Sequence, residues 1–158
     1  MTDSLVVRQL QPWHANLSKR QVKAPKIYIR DSGLLHSLLK IGDSRALNSH
    51  PKLGASWEGF IIELIMDQLD KDSSEFYFWA THTGAELDLY TTGGGKRLGI
   101  EVKRTATPKL TPSMKIAMQD LNLNELIVVH AGKESYPLAK SVRAVSVTEL
   151  IADGGIKF

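Results

Sequence analysis

Three residues near the middle of the chain could act together on a charged substrate: Asp88, Glu101 and Lys103. Each lies in a segment that reads as a β-strand. In Ala85-Glu86-Leu87-Asp88-Leu89, strand alternation puts Glu86 and Asp88 on one face and Ala85, Leu87 and Leu89 on the other. In Gly99-Ile100-Glu101-Val102-Lys103, Glu101 and Lys103 share a face opposite Ile100 and Val102. Apolar faces must meet the core, and a hairpin through residues 91–97 makes the two strands neighbours. The three charged side chains are therefore expected to converge on one patch of sheet.

Such a patch is electrostatically demanding. Two carboxylates about 4 Å apart repel by roughly 4 kcal/mol at an effective dielectric of about 20. Lys103 offsets part of that, and a bound divalent cation would offset the rest. Carboxylate oxygens are hard ligands that suit Mg²⁺ or Mn²⁺, ions that keep several waters and bind substrate phosphate. Such an ion polarises a phosphodiester and acidifies an attacking water. A neighbouring lysine can orient that water or stabilise transition-state charge. Glu58, in the first turn of an expected helix, is a fourth candidate. The alternatives are an exposed polar sheet face laced by cross-strand ion pairs, and for Glu58 a carboxylate favoured by the helix dipole.

The elements around these residues follow from periodicity. Residues 57–69 read as a helix, with Trp57, Phe60, Ile61, Leu64, Ile65 and Leu69 at helical spacing and Ser56 as N-cap. Residues 76–80 and 85–90 read as strands, 91–96 as a glycine-rich turn, and 98–104 as a third strand. A helix over 111–121 carries Pro112 in its first turn, where proline is tolerated. Strands at 125–130 and 142–147 and a helical turn at 148–152 follow. The order α-β-β-β-α-β, then β, predicts an α/β layered domain with a mixed sheet.

The N-terminal third reads differently. Residues 5–10 and 26–30 form an expected antiparallel ribbon with a long basic tip, followed by a short helix over 33–40 capped by Asp31 or Ser32. Leu34, Leu35, Leu38 and Leu39 give that helix one apolar face. Residues 42–54 read as a loop, so the expected units are 1–50 and 51–158. A two-stranded ribbon alone is marginal in water. It is therefore part of a larger unit such as a winged helix, or it packs on the domain or on a second copy in a homo-oligomer.

Residues 1–50 hold eight Lys/Arg against three Asp, a balance of +5, whereas 51–158 hold twelve Lys/Arg against fourteen Asp/Glu, a balance of −2. Lys19, Arg20, Lys23 and Lys26 are the candidate phosphate contacts, with a solvated basic loop as the alternative. The whole chain has 158 residues, 42% hydrophobic and 23% charged, and no cysteine. That composition fits one globular domain with a small appendage. It excludes a disulfide framework, a thiolate nucleophile and cysteine metal sites. No apolar run approaches the roughly 20 residues needed to span a bilayer, and residues 1–20 lack the apolar core of a signal peptide. A cytoplasmic protein with no membrane partner is expected.

The helix carrying Glu58, then Asp88, then Glu101-Val102-Lys103, in α-β-β-β-α-β order, resembles the PD-(D/E)XK nuclease superfamily. The resemblance implies a restriction-endonuclease-like core. It implies that Asp88 and Glu101 bind Mg²⁺ or Mn²⁺, with Glu58 as the helix-borne acidic residue, and that Lys103 assists catalysis. Leu87 stands where the signature proline would precede Asp88. A wider resemblance covers nearly the whole chain. Asn16-Leu17-Ser18-Lys19-Arg20, Lys23-Ala24-Pro25-Lys26, Asp31-Ser32-Gly33-Leu34-Leu35, His50-Pro51, Trp57-Glu58, Phe78-Trp79 and Gly84-Ala85-Glu86-Leu87-Asp88-Leu89 are among the segments concerned. They are similar to a domain of unknown function at the C-terminus of many prokaryotic AAA+ family ATPases. That resemblance implies an N-terminal ATPase domain as partner. This sequence contains no G-x-x-x-x-G-K-[ST], and Gly93-Gly94-Gly95-Lys96 is too short and lies in a hairpin. The chain is thus expected to be the C-terminal piece of such an ATPase. The implied function is Mg²⁺-dependent phosphodiester cleavage of DNA. The alternative is a catalytically inactive nucleic-acid-binding or protein-interaction module.

Overall fold

A computed structural model describes residues 5–15, 20–152 and 156. The element order is β1 (Val7–Pro12), β2 (Lys26–Ile29), α1 (Ser32–Leu38), α2 (Ser44–Ser49), α3 (Leu53–Leu69), β3 (Phe76–Ala80), β4 (Glu86–Gly93), β5 (Lys96–Lys103), α4 (Pro112–Asp120), β6 (Glu125–His130), β7 (Tyr136–Ala139), β8 (Val142–Ser146) and α5 (Val147–Ala152). The eight strands form one mixed sheet in the order β2-β1-β3-β4-β5-β6-β8-β7. The expected α/β class and mixed sheet are present.

Alternation along the parallel strands creates two cores. On β6, Ile127 and Val129 face one side of the sheet and Leu126 and Val128 the other, all buried. Burial on both faces is what a strand flanked by parallel β5 and β8 requires. The first core is covered by α3 through Ile61, Ile62, Ile65 and Met66, and by Leu150 of α5. The second is covered by α4 through Met114 and Ala117. At roughly 1.5–3 kcal/mol for each fully buried aliphatic side chain, the three isoleucines of α3 alone fix that helix to the sheet.

The ribbon joins the sheet instead of standing free. Strands β1 and β2 pair antiparallel from Val7↔Ile29 to Leu10↔Lys26, and β1 also pairs parallel with β3 through Gln11↔Tyr77 and Pro12↔Phe78. Arg8 and Arg30 close on one carboxylate of α3, Glu63, at 2.6 and 2.7 Å. Trp13 packs against Tyr77 and Tyr90 at about 5 Å.

Several expectations are corrected. The expected 42–54 loop contains α2, whose N-cap Asp43 accepts from the Ala46 N–H at 2.7 Å. Helix α3 starts at Leu53, after Lys52, so Ser56 lies inside it and its buried hydroxyl bonds His36 Nε2 at 2.8 Å. Glu58 accordingly sits beyond the first turn, where the dipole effect has faded. Helix α1 buries no residue, and Leu34, Leu38 and Leu39 remain exposed. Strands β4 and β5 extend into the expected turn, which shrinks to Gly94-Gly95, both at positive φ.

Candidate functional site

Strand alternation fails at the residue that matters most. Tyr77 pairs with Tyr90, but Trp79 pairs with Leu87, so Phe78 of β3 faces both Asp88 and Leu89 of β4. This is a β-bulge, a device that re-aims a side chain. Its consequence shows in the packing: Leu87 lies in the α4-side core and Leu89 in the α3-side core, although the sequence pattern put them on one face. The β4–β5 ladder runs from Gly93↔Lys96 to Leu89↔Ile100. Beyond it the Asp88 carboxylate replaces strand pairing, accepting the Val102 N–H at 2.9 Å.

Glu101 and Lys103 stand on the next strand and bond each other at 2.6 Å. Asp88 and Glu101 are each only 6% exposed. The other Glu101 oxygen, Oε2, is buried with no hydrogen-bond partner among the described residues. Asp88, Glu101 and Lys103 do come together, around an open pocket of about 450 Å³ that Glu58, Glu86, Thr111 and Ser113 also line. The bulge and the parted ladder bring them there, not a shared polar face. The apolar cleft of about 230 Å³ between β2, α1 and α3 has no carboxylate in its lining.

Glu58 enters from α3. Its Oε1 accepts from Tyr28 Oη at 2.6 Å and from Lys26 Nζ at 3.0 Å. Tyr28 can lie against the helix because residue 59 is glycine, where a Cβ would stand 3.1 Å from its ring. Lys26 also pairs with Asp88 at 3.4 Å and with Glu86. The mouth of the pocket is pinned by Ser113 at the start of α4, whose hydroxyl accepts the Glu86 N–H and donates to the Glu86 carbonyl, both at 2.9 Å.

This crowding shifts the titrations. Burial raises the Asp88 carboxyl above its ordinary range, and the charges of Glu101 and Glu58 add to that. Burial likewise raises Glu101, against the pull of Lys103. Burial alone would lower the Lys103 ammonium, but the hydrogen bond and charge of Glu101 outweigh it and hold it up. For Lys26, burial is again outweighed, by Asp88, Tyr28, Glu58 and Glu86, so its ammonium is held well above the usual lysine value. Perturbed groups around one pocket are a physical signature of a functional site.

The four basic residues assigned to nucleic acid part company. Lys19 lies outside the described residues. Arg20 is exposed, and its carbonyl accepts the His82 N–H at 3.0 Å, next to the 81–84 turn whose Gly84 borders the pocket. Lys23 is exposed as well. Lys26 is half-buried and its ammonium is paired with Glu58, Glu86 and Asp88, so it presents no free charge to a phosphate chain. Sequence reasoning left out Glu86, Thr111 and Ser113. Glu86 was visible as a same-face neighbour of Asp88, whereas Thr111 and Ser113 had only the cap preceding a helix as their signal.

The donor set fits a hard divalent cation in part. Asp88 and Glu101 offer carboxylate oxygens, one of them unpartnered, and Mg²⁺ is commonly held by one or two carboxylates plus water and substrate. Among the described residues no group of three or more His, Cys, Asp or Glu side chains is placed to hold a metal ion by itself. No described helix is long and apolar enough to cross a membrane.

Two uncharacterized proteins, Mb2031c of Mycobacterium bovis and Rv2008c of Mycobacterium tuberculosis, are each 49% identical to this chain over 156 residues. The match covers 99% of this chain and 35% of each relative, so the chain spans about a third of their length. No solved structure matches significantly. Residues 1–45, which contribute Lys26 and Tyr28, match a domain of unknown function, DUF8612. Residues 53–150, which carry Glu58, Asp88, Glu101 and Lys103, match a second domain of unknown function, DUF4143, and with most of its length and all four expected site residues inside that match, the chain belongs to the DUF4143 family.

Proposed function

We propose that this domain has a restriction-endonuclease-like core and cleaves phosphodiester bonds of DNA with Mg²⁺ or Mn²⁺. The observation that carries the reading is the meeting of Asp88, Glu101 and Lys103 at one open pocket, with a buried Glu101 oxygen left unpartnered. Support for the core comes from α3, β3, β4, β5, α4 and β6 following one another in the α-β-β-β-α-β order. Asp88 and Glu101 would hold the ion, with Glu58 at its rim. When bound, the ion would polarise the phosphate and acidify a water. Asp88 is fixed for that task by the Val102 N–H, and Glu101 by Lys103. The Lys103 ammonium, half-buried and kept charged by Glu101, stabilises negative charge that develops on the phosphate. Arg20 and Lys23, both exposed, would attract the backbone. Attachment to an AAA+ ATPase is part of the same proposal, supported by the greater length of the relatives.

The test is plasmid nicking with and without Mg²⁺, comparing the native chain with Asp88→Ala and Lys103→Ala. Metal-dependent nicking lost in both variants is expected; no cleavage of DNA or RNA, or equal cleavage by the variants, overturns the proposal. One observation favours a second reading, an inactive binding module: Lys26 already pairs with three of the carboxylates without a metal.

A further inference from the structure

The carboxylates of the pocket already hold a cation. Lys26 Nζ contacts Glu58 Oε1 at 3.0 Å, Asp88 Oδ1 at 3.4 Å and Glu86. These acids come from α3 and β4, whereas Lys26 is the first residue of β2. An ammonium with three donors satisfies three oxygens, as a small hard cation does with its coordination shell. Two of those oxygens belong to residues assigned above to a divalent ion, Glu58 and Asp88. Both cations cannot hold them at full strength.

We propose that Lys26 is the resident cation of this site and that a divalent metal enters by displacing its ammonium, so that the N-terminal ribbon and the metal compete for the same carboxylates. This rests on the metal-site reading above. Two features make the exchange feasible. Strand β2 is held by backbone pairing to β1, from Lys26↔Leu10 to Ile29↔Val7, so the side chain can withdraw without unpairing the strand. The lysine stem has four rotatable carbons and is half-buried rather than locked in the core, with Nζ 5.5 Å from the Phe78 ring centre. A buried oxygen remains for the incoming ion, since Glu101 Oε2 is unpartnered among the described residues. With Lys26 in place the four pocket carboxylates face two ammonium groups, Lys26 and Lys103, so the site keeps an excess of negative charge that draws a cation. With Lys26 displaced, metal occupancy and release of the ribbon's anchor are linked, each favouring the other.

The experiment is calorimetric titration with Mn²⁺ alone of the native chain, Lys26→Met and Lys26→Arg, with far-ultraviolet circular dichroism to verify folding. Removing a competing unit charge should tighten Mn²⁺ binding by on the order of tenfold or more. Lys26→Arg, which keeps the charge, should stay closer to the native value. A second readout needs no variant. Acetylation of the native chain, followed by mass spectrometry, should show Lys26 protected relative to Lys23 and more reactive once Mg²⁺ is added. Equal or weaker Mn²⁺ binding by a folded Lys26→Met chain, or Lys26 labelling unchanged by metal the chain demonstrably binds, overturns the displacement proposal alone. Absence of Mn²⁺ binding by every chain overturns the metal-site reading together with it.

Discussion

Replacing Asp88 by asparagine should stabilise the metal-free protein above neutral pH, although it removes a residue the proposed chemistry requires. Burial, Glu101 and Glu58 raise the Asp88 carboxyl from 3.8 to about 7. In the unfolded chain the same group ionises near its ordinary value. Between those limits the folded state keeps a proton that the unfolded state has released, so folding takes up a proton and stability falls as pH rises. Below the lower limit the full stability is present; above the upper one the loss is complete. The difference between those two values corresponds to roughly 4 kcal/mol. A carboxamide carries no charge to desolvate, and its oxygen can still accept the Val102 N–H. It gives up the attraction to Lys26 at 3.4 Å, which leaves a net gain of about 2 kcal/mol at pH 8. For a chain of this size that is a rise in Tm of roughly 4–8 °C. Thermal melts of the native chain and Asp88→Asn in chelator, from pH 4 to 8, measure it. The two curves should nearly meet at pH 4 and separate as pH rises. A lower Tm for Asp88→Asn at pH 8, or a gap that does not change with pH, would refute the assignment of a strained, desolvated carboxylate.

Glu63 should behave with the opposite sign. Burial opposes its charge, but the hydrogen bonds from Arg8 and Arg30 prevail and lower its pKa, so its contribution is present at neutral pH and lost as acid protonates it. Glu63→Gln should cost about 2–4 kcal/mol in urea unfolding at pH 7, with the deficit shrinking toward pH 3. Gly59→Ala places a methyl 3.1 Å from the Tyr28 ring and should destabilise by about 1 kcal/mol. A chain whose stability does not fall in the same unfolding assay would show that Tyr28 moves aside freely. Reversing Arg20 and Lys23 to glutamate should weaken DNA binding and reduce its salt slope by about 2, with Tm unchanged, as read by fluorescence anisotropy over a salt series. An unchanged slope would remove both residues from the phosphate contacts.

Much of the scaffold could be read from local pattern. Strands β3 and β6 run over the expected residues, because each is a short apolar run bounded by turn signals. The omissions have physical causes. Strand β7 contains Pro137, which argues against a central strand, but β7 lies at the sheet edge, where a missing N–H is tolerated. Helix α2 has six residues and buries none of them, so no periodicity marks it, and only its Asp43 cap was there to be seen. The Leu53 start of α3 was hidden by Gly54, which reads as a loop residue but is harmless in a first turn.

The site was legible in its membership and not in its construction. Asp88, Glu101 and Lys103 were found because charged residues stood out on apolar strands. Their geometry depends on a bulge opposite Phe78, and no residue type announces a bulge there. Without that extra residue Asp88 and Leu89 would alternate faces, so the acid could not share the α3 side with the core residue after it. The same limit explains Lys26. Local sequence placed it in a basic run suited to phosphate, whereas its partners Glu58 and Asp88 lie 32 and 62 positions away. Only the pairing of β1 with β3 brings the Lys26 side chain of β2 within reach of the β4 acids, so what Lys26 does follows from sheet order. Charge counted along the chain described a basic ribbon and an acidic body as separate features. Folded together, one of the ribbon's charges offsets part of the acidity of the body, and that pairing eases the crowding of the carboxylates before any metal arrives.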